Sequence, residues 1–221
     1  MTKKRAQREE NILQAAQELF FTKGIVATTI DDIARKADIS KGAVYLHYKT
    51  KDEIYFAIAN QGLAIMLEKF KEAADEHSLG LEKFKAIGYA FYDFTKEHPE
   101  YSTLIYAQDA PRPSQGSALE DEFRSLNMQI GAVMVSTIQQ GIDDGSARPD
   151  VEPVPAALII STSLQGFLRT LLAEREMVAR LGMDERHLVD YSIDLYGRSL
   201  INLCAVPCEV GPPKAKKRAK K

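Results

Sequence analysis

Apolar residues return at three- and four-residue intervals along nearly the whole chain, and no run of strict alternation bounded by turn residues interrupts them. The sequence therefore predicts helices and no strands. A first helix is expected from Arg5 to Lys23, with Ile12, Ala16, Leu19 and Phe20 on one face and Gly24 where a left-handed cap is needed. Thr29 then stands as an N-cap with Asp32 three residues on, opening a short helix that buries Ile30, Ile33, Ala34 and Ala37. Ser40 caps a third helix running to about His47, and Thr50 with Glu53 caps a fourth that continues towards Ala74. Further helices are expected from Leu81 to Glu97, Pro99 to Gln108, Ser117 to Ile142 with Glu120 completing its cap, Pro155 to Arg180, and Asp184 to Leu203. The breaks fall at Pro and Gly clusters, in Ala110 to Gly116 and Gly145 to Pro155. The fold class expected is all-α: a three-helix N-terminal unit followed by a helical bundle.

Composition adds a compartment and charge adds a division. The chain has 221 residues, 45% of them hydrophobic and 27% charged, enough to bury a core. No run approaches eighteen consecutive apolar residues and no apolar signal core follows Met1, so the expectation is a cytoplasmic protein with no membrane partner. Cys204 and Cys208 are the only cysteines; Pro207 disturbs the helix between them, and no cluster of His, Asp or Glu completes a ligand set. No metal and no cofactor is expected, and the two cysteines read as structural. The net charge of -2 conceals an uneven distribution. Residues 1–51 hold ten Lys and Arg against six Asp and Glu; residues 209–221 hold six against one; the stretch between holds 13 against 24. A basic head on an acidic body suits a small unit that meets phosphate. We expect a DNA-binding unit at 1–50 with residues 1–6 flexible, a sensing and dimerising body at 51–206, and a flexible basic tail at 207–221.

Two short helices joined by a tight turn behind a longer helix make the layout in which the third element enters the major groove of DNA. Val44 and Tyr48, four apart, would face the first two helices with Ile39. Lys41 and Tyr45 then share the opposite side, with Ala43, Leu46 and His47 beside them. Gly42 and Ala43 are small enough to let the backbone approach bases, and the helix N-terminus favours a phosphate oxygen.

The run from Thr28 to Ala34 (TTIDDIA), followed by Ile39 to Ile54 (ISKGAVYLHYKTKDEI), resembles the DNA-binding signature of the TetR family of repressors. The likeness covers about residues 8 to 56 and departs at Asp38, where that family often has Gly; Asp tolerates left-handed geometry better than most residues. The resemblance implies a ligand-responsive repressor that binds a near-palindromic operator as a homodimer and leaves it when a small-molecule effector enters the body. It also implies that Thr29 and Lys51 contact phosphates, that Tyr45 contacts the backbone beside the groove, and that Lys41, Gly42, Ala43 and His47 sit at base edges behind the Ser40 cap.

For the body the resemblance implies architecture alone, and the residues supply the rest. Leu158 to Leu172 is apolar or small on nearly every side, so more than its own domain must cover it. Leu164 and Gly166 on that helix, with Leu188, Tyr191 and Leu195 on the last one, are the expected dimer face. Aromatics gather between Phe84 and Tyr106, and Ser161 and Gln165 place polar groups in an apolar helix. Phe91, Tyr92, Tyr101, Ser161 and Gln165 are the candidates for an effector cavity, although an ordinary core with satisfied hydroxyls reads the same way. Two other functions stay open: a DNA-binding adaptor whose body holds a protein partner, and a helical-bundle enzyme. Against the enzyme, the chain has no glycine-rich phosphate loop, nucleophile elbow or metal-ligand spacing.

Overall fold

Each of the first breaks in the chain is made by a residue able to leave the right-handed region. The computed structural model describes residues 3–114 and 116–202, and among them it contains ten α-helices. Helix α1 (Lys3–Lys23) stops at Gly24, whose φ of 89° is open to glycine, and the Gly24 amide closes the last turn on the Phe20 carbonyl. Helix α2 (Ile30–Lys36) starts with a reciprocal cap: the Thr29 hydroxyl accepts from the Asp32 amide, and the Asp32 carboxylate accepts from the Thr29 amide. It ends at Asp38, the one non-glycine residue with positive φ, 54°, among the described residues. There the Ile39 amide donates to the Ala34 carbonyl and the Asp38 amide to Arg35, the paired bonds of a Schellman termination. Helix α3 (Lys41–Tyr45) begins at Ser40, whose hydroxyl accepts from the Ala43 amide. It is shorter than the sequence reading, since Leu46 and His47 already form a turn.

Helix α4 (Lys51–Asp75) is capped by Thr50, and the Glu53 carboxylate accepts from the Lys49 amide rather than closing back on Thr50. After it come α5 (Gly80–Glu97), α6 (Pro99–Ile105), α7 (Ala118–Asp143), α8 (Pro153–Ala173), α9 (Arg175–Arg180) and α10 (Glu185–Leu200). The continuous helix expected from Pro155 to Arg180 is in fact two, because Glu174 leaves the helical region at φ -108° and ψ 35°. Neither Gly nor Pro marks that break, so the pattern held no signal for it. One isolated antiparallel bridge, Ala147 to Ile201, ties the loop after α7 to the end of α10. Cys204, Cys208 and the basic tail lie outside the described residues.

The apolar faces converge on two adjoining cores that share α4. Ile12, Phe20, Ile33, Val44 and Tyr48 close the head core with Ile54, Phe56 and Ile58 from the first turns of α4. Further along the same helix, Leu63, Met66 and Phe70 enter the body core beside Phe91, Phe94, Leu168 and Val189. Tyr101, Ile105 and Phe123 touch both. A rigid helix of 25 residues thus belongs to head and body at once. One contact between α5 and α7 is so close that only glycine fits: a Cβ on Gly80 would lie 2.1 Å from the Gly141 amide nitrogen.

Helix α8 is long and apolar enough, by length and composition, to cross a membrane, yet only 28% of its most apolar window is buried. Leu158 and Ile159 are each 63% exposed.

Candidate nucleic-acid interface and body cavities

Helix α3 is held from one side. Val44 is fully buried and Tyr48, just beyond the helix, is nearly so, its phenol donating to Glu9 at 3.3 Å; burial, then the neighbouring carboxylate, pushes that phenol well above its ordinary range. The opposite side is bare. Lys41 and Gly42 are exposed, Ala43 is half-buried, Tyr45 is 47% exposed and Leu46 79% exposed. Four-residue spacing between Val44 and Tyr48, and between Lys41 and Tyr45, puts each pair on its own side.

Not every residue expected on that surface stands on it. The His47 side chain is only 9% exposed and turns towards α1, its Nδ1 4.0 Å from the Glu9 carboxylate. The reason is local: the helical turn continues to Tyr48, whose amide bonds the Val44 carbonyl, and His47, three residues after buried Val44, falls towards that same side. Lys51 departs in another way. Its Nζ donates to the carbonyls of Ile25 at 2.6 Å, Val26 at 3.2 Å and Thr28 at 2.9 Å, which occupies all three ammonium protons on the loop before α2. Leu46, which the sequence places on the outward side beside Lys41 and Tyr45 without assigning it a contact, is the most exposed apolar residue of this surface.

Charge around the surface is paired but yielding. Lys41 meets Asp31 at 2.8 Å, and that hydrogen bond raises the lysine pKa. Both partners are about half exposed, so water and salt screen the pair and a phosphate can compete for the lysine. Asp32 is held far below the usual carboxylate range, first by the Lys23 ammonium at 2.6 Å and then by Thr29. Thr29 itself is exposed at the start of α2, and Ser40 at the start of α3.

In the body, a cavity of about 300 Å³ opens among α4, α5, α7, α8 and α10, lined by Phe91, Tyr106, Ser161 and Gln165 with Phe70, Met134 and Leu164. Two expected members lie elsewhere. Tyr92, next to Phe91, is turned by the helical step towards α10, where its hydroxyl donates to Glu185 at 2.7 Å; burial and then that carboxylate push its phenol up to about 12. Tyr101 sits between the two cores and donates to Gln61 at 3.2 Å.

The residues expected at a dimer face also divide. Tyr191 and Leu195 are 62% and 54% exposed, and a Cβ added to Gly166 would meet nothing within 4 Å. Leu164 is buried in the chain's own core and lines the cavity, because it faces α5 rather than outward. Leu188 is half-buried against that core. Val154, Leu158 and Ile159 extend the exposed apolar side of α8.

Residues 12–58, the stretch that builds this head, match the family described as bacterial regulatory proteins, tetR family. The HTH-type transcriptional repressor KstR2 of Mycolicibacterium smegmatis is 30% identical over 147 residues, which span 66% of this chain and 71% of that one. The chain belongs to the tetR family. It is a DNA-binding transcriptional regulator of the helix-turn-helix type. KstR2 of Mycobacterium tuberculosis is 28% identical over 148 residues, 66% of this chain and 72% of its own. Among solved structures, a tetR-family regulatory protein from Rhodococcus RHA1 overlays with a TM-score of 0.72 at 22% identity, covering 90% of this chain and 98% of that one. FadR from Bacillus subtilis, solved in complex with stearoyl-CoA, overlays at 0.70 with 15% identity, covering 86% and 98%. At these identities the overlays establish the fold, which extends the tetR likeness from the head to the whole body.

Proposed function

We propose that this tetR-family chain is a ligand-responsive repressor. Two copies bind a near-palindromic operator through α3 and release it when a small molecule enters the body. The observation that supports operator reading most directly is the bare side of α3. Lys41, Gly42 and Tyr45 on a short helix, and Leu46 at its end, are exposed, while Val44 is buried in the head core and Tyr48 is tied to Glu9 of α1 on the other side. Lys41 and Gly42 meet base edges beside Ala43, Tyr45 meets the sugar-phosphate edge, and Leu46 offers apolar contact to a thymine methyl. Thr29 and Ser40, exposed at the two helix starts, flank that surface and reach phosphates.

Homodimerisation follows from the apolar side shared by α8 and α10. Val154, Leu158, Ile159, Tyr191 and Leu195 are each more than half exposed in one chain, a surface that water disfavours and a second copy would cover. A two-fold pair of heads then meets DNA at half-sites about one helical turn, roughly 34 to 36 Å, apart. The body cavity supports effector binding, and α4, rooted in both cores, is the element through which it reaches the heads. An effector shifts the heads only as far as it prefers one spacing over the other.

Selection of bound sites from random DNA tests the reading. The expected outcome is two inverted half-sites, with affinity falling steeply as salt rises. Lys41→Ala should lower the salt slope or alter the selected bases. Sites without inverted symmetry, or a Lys41→Ala protein that selects and binds as the parent does, would refute it.

A further inference from the structure

A carboxylate stands at the edge of the bare surface of α3, on a head that otherwise has to meet phosphate. Negative charge there weakens binding to every DNA sequence. Asp31 lies in the first turn of α2, where the helix dipole favours an acid, but the cap on Thr29 is closed by Asp32 and does not use Asp31. The Asp31 carboxylate reaches across to α3 instead, its Oδ2 accepting from the Lys41 Nζ at 2.8 Å. The two side chains are 58% and 49% exposed, so the pair forms part of the surface that a groove would meet. Screening by water makes the link weak, and either partner can turn from it to a base.

An ammonium beside a carboxylate is a donor next to an acceptor. The middle of a base pair's major-groove edge shows the complementary pattern at a matching spacing. In G·C the guanine O6 acceptor and the cytosine N4 amino donor are bonded to each other, so they lie roughly 2.9 Å apart. With Lys41 over O6 and Asp31 over N4, both charges stay paired and both base groups gain a hydrogen bond, while guanine N7 offers the ammonium a second acceptor. Reversal to C·G sets the carboxylate against the O6 lone pairs and the ammonium against an amino donor. A·T fails in the same way, with thymine O4 under Asp31. T·A keeps the order of acceptor and donor, but a methyl group stands where guanine has N7.

We propose that Lys41 and Asp31 together read one G·C pair in each half-site, guanine under Lys41 and cytosine under Asp31, and that Asp31 is the residue that fixes the orientation of that pair. This deepens the operator reading above and rests on it, since it needs α3 in the major groove. A lysine alone follows a guanine onto either strand, because its long stem lets the ammonium swing between them. The carboxylate removes that freedom. It lowers affinity for DNA in general and rejects the reversed pair in particular.

The test is selection of bound sites from random DNA by the full-length parent, Asp31→Ala, Asp31→Asn and Lys41→Ala, then fluorescence anisotropy on duplexes carrying single base-pair changes. The parent should prefer G·C to C·G by about tenfold or more at one position of each half-site. Asp31→Ala should cut that ratio to about threefold or less, and should bind a duplex lacking the half-sites more tightly than the parent does. Asp31→Asn keeps the volume and can turn its amide to donate to O6, so it should lose the same rejection, which a packing role would not produce. Far-UV circular dichroism should match the parent for both, because Asp31 is exposed and outside the cap. A parent with no G·C-preferring position, or the parental ratio in both Asp31 variants, would overturn the proposal. If Lys41→Ala alters the selected bases and the Asp31 variants do not, the role of Asp31 fails and the operator reading stands; if none of the three alters them, both fail.

Discussion

A single side chain in this head is asked to do one thing by its sequence context and another by its geometry. Lys51 sits where the family resemblance implies phosphate contact, yet its ammonium is spread over three carbonyls of the loop before α2. If it holds that loop rather than DNA, Lys51→Met will weaken binding on all sequences by displacing α2, while the slope of log affinity against log salt stays as in the parent. A slope reduced by about one unit would show that the ammonium leaves the carbonyls for a phosphate. Asp38 gives a second prediction at this scale. Its φ of 54° is costly for a side chain with a Cβ, so Asp38→Gly should raise unfolding free energy by up to about 1 kcal/mol, and Asp38→Val should lower it by about 1–2 kcal/mol, both read from denaturant titration.

Among elements, α2 carries a pH dependence and α5 a steric one. Asp32 has a folded-state pKa depressed below its unfolded value by Lys23 and Thr29. Its contribution is therefore present above the unfolded value of about 3.9, and is lost as pH falls from there through the folded value. Thermal melts between pH 7 and pH 3 should show the parent losing stability more steeply than Asp32→Asn; parallel losses would remove the carboxylate from the account. At Gly80 the added methyl of Gly80→Ala meets Gly141 backbone that cannot move aside like a side chain. The expected cost is about 1–3 kcal/mol by chemical denaturation, with α5 displaced from α7.

For the whole molecule, the decisive question is what covers α8 and α10. If a second copy does, Leu158→Glu combined with Leu195→Glu should leave a folded monomer by light scattering. It should also weaken operator binding at least a hundredfold, because two heads no longer act on one site. A double variant that remains a dimer with parental affinity would place the interface elsewhere.

What the sequence determined alone was local. Thr29 with Asp32, Ser40, Thr50 and Ser117 cap helices within four residues, Gly24 and Asp38 end them, and the four-residue turn before α3 follows from those choices. These are short-range hydrogen bonds and backbone preferences, so they are legible without knowing the fold, and the inward set of Val44 and Tyr48 came with them. Tertiary structure decided the rest. It bound Lys51 to a loop 23 to 26 residues earlier in the chain, turned Leu164 inward and Tyr92 away from the cavity, and broke α8 at Glu174. Each of these depends on which distant surface a side chain meets, and helical periodicity records that a face is apolar without recording which partner covers it.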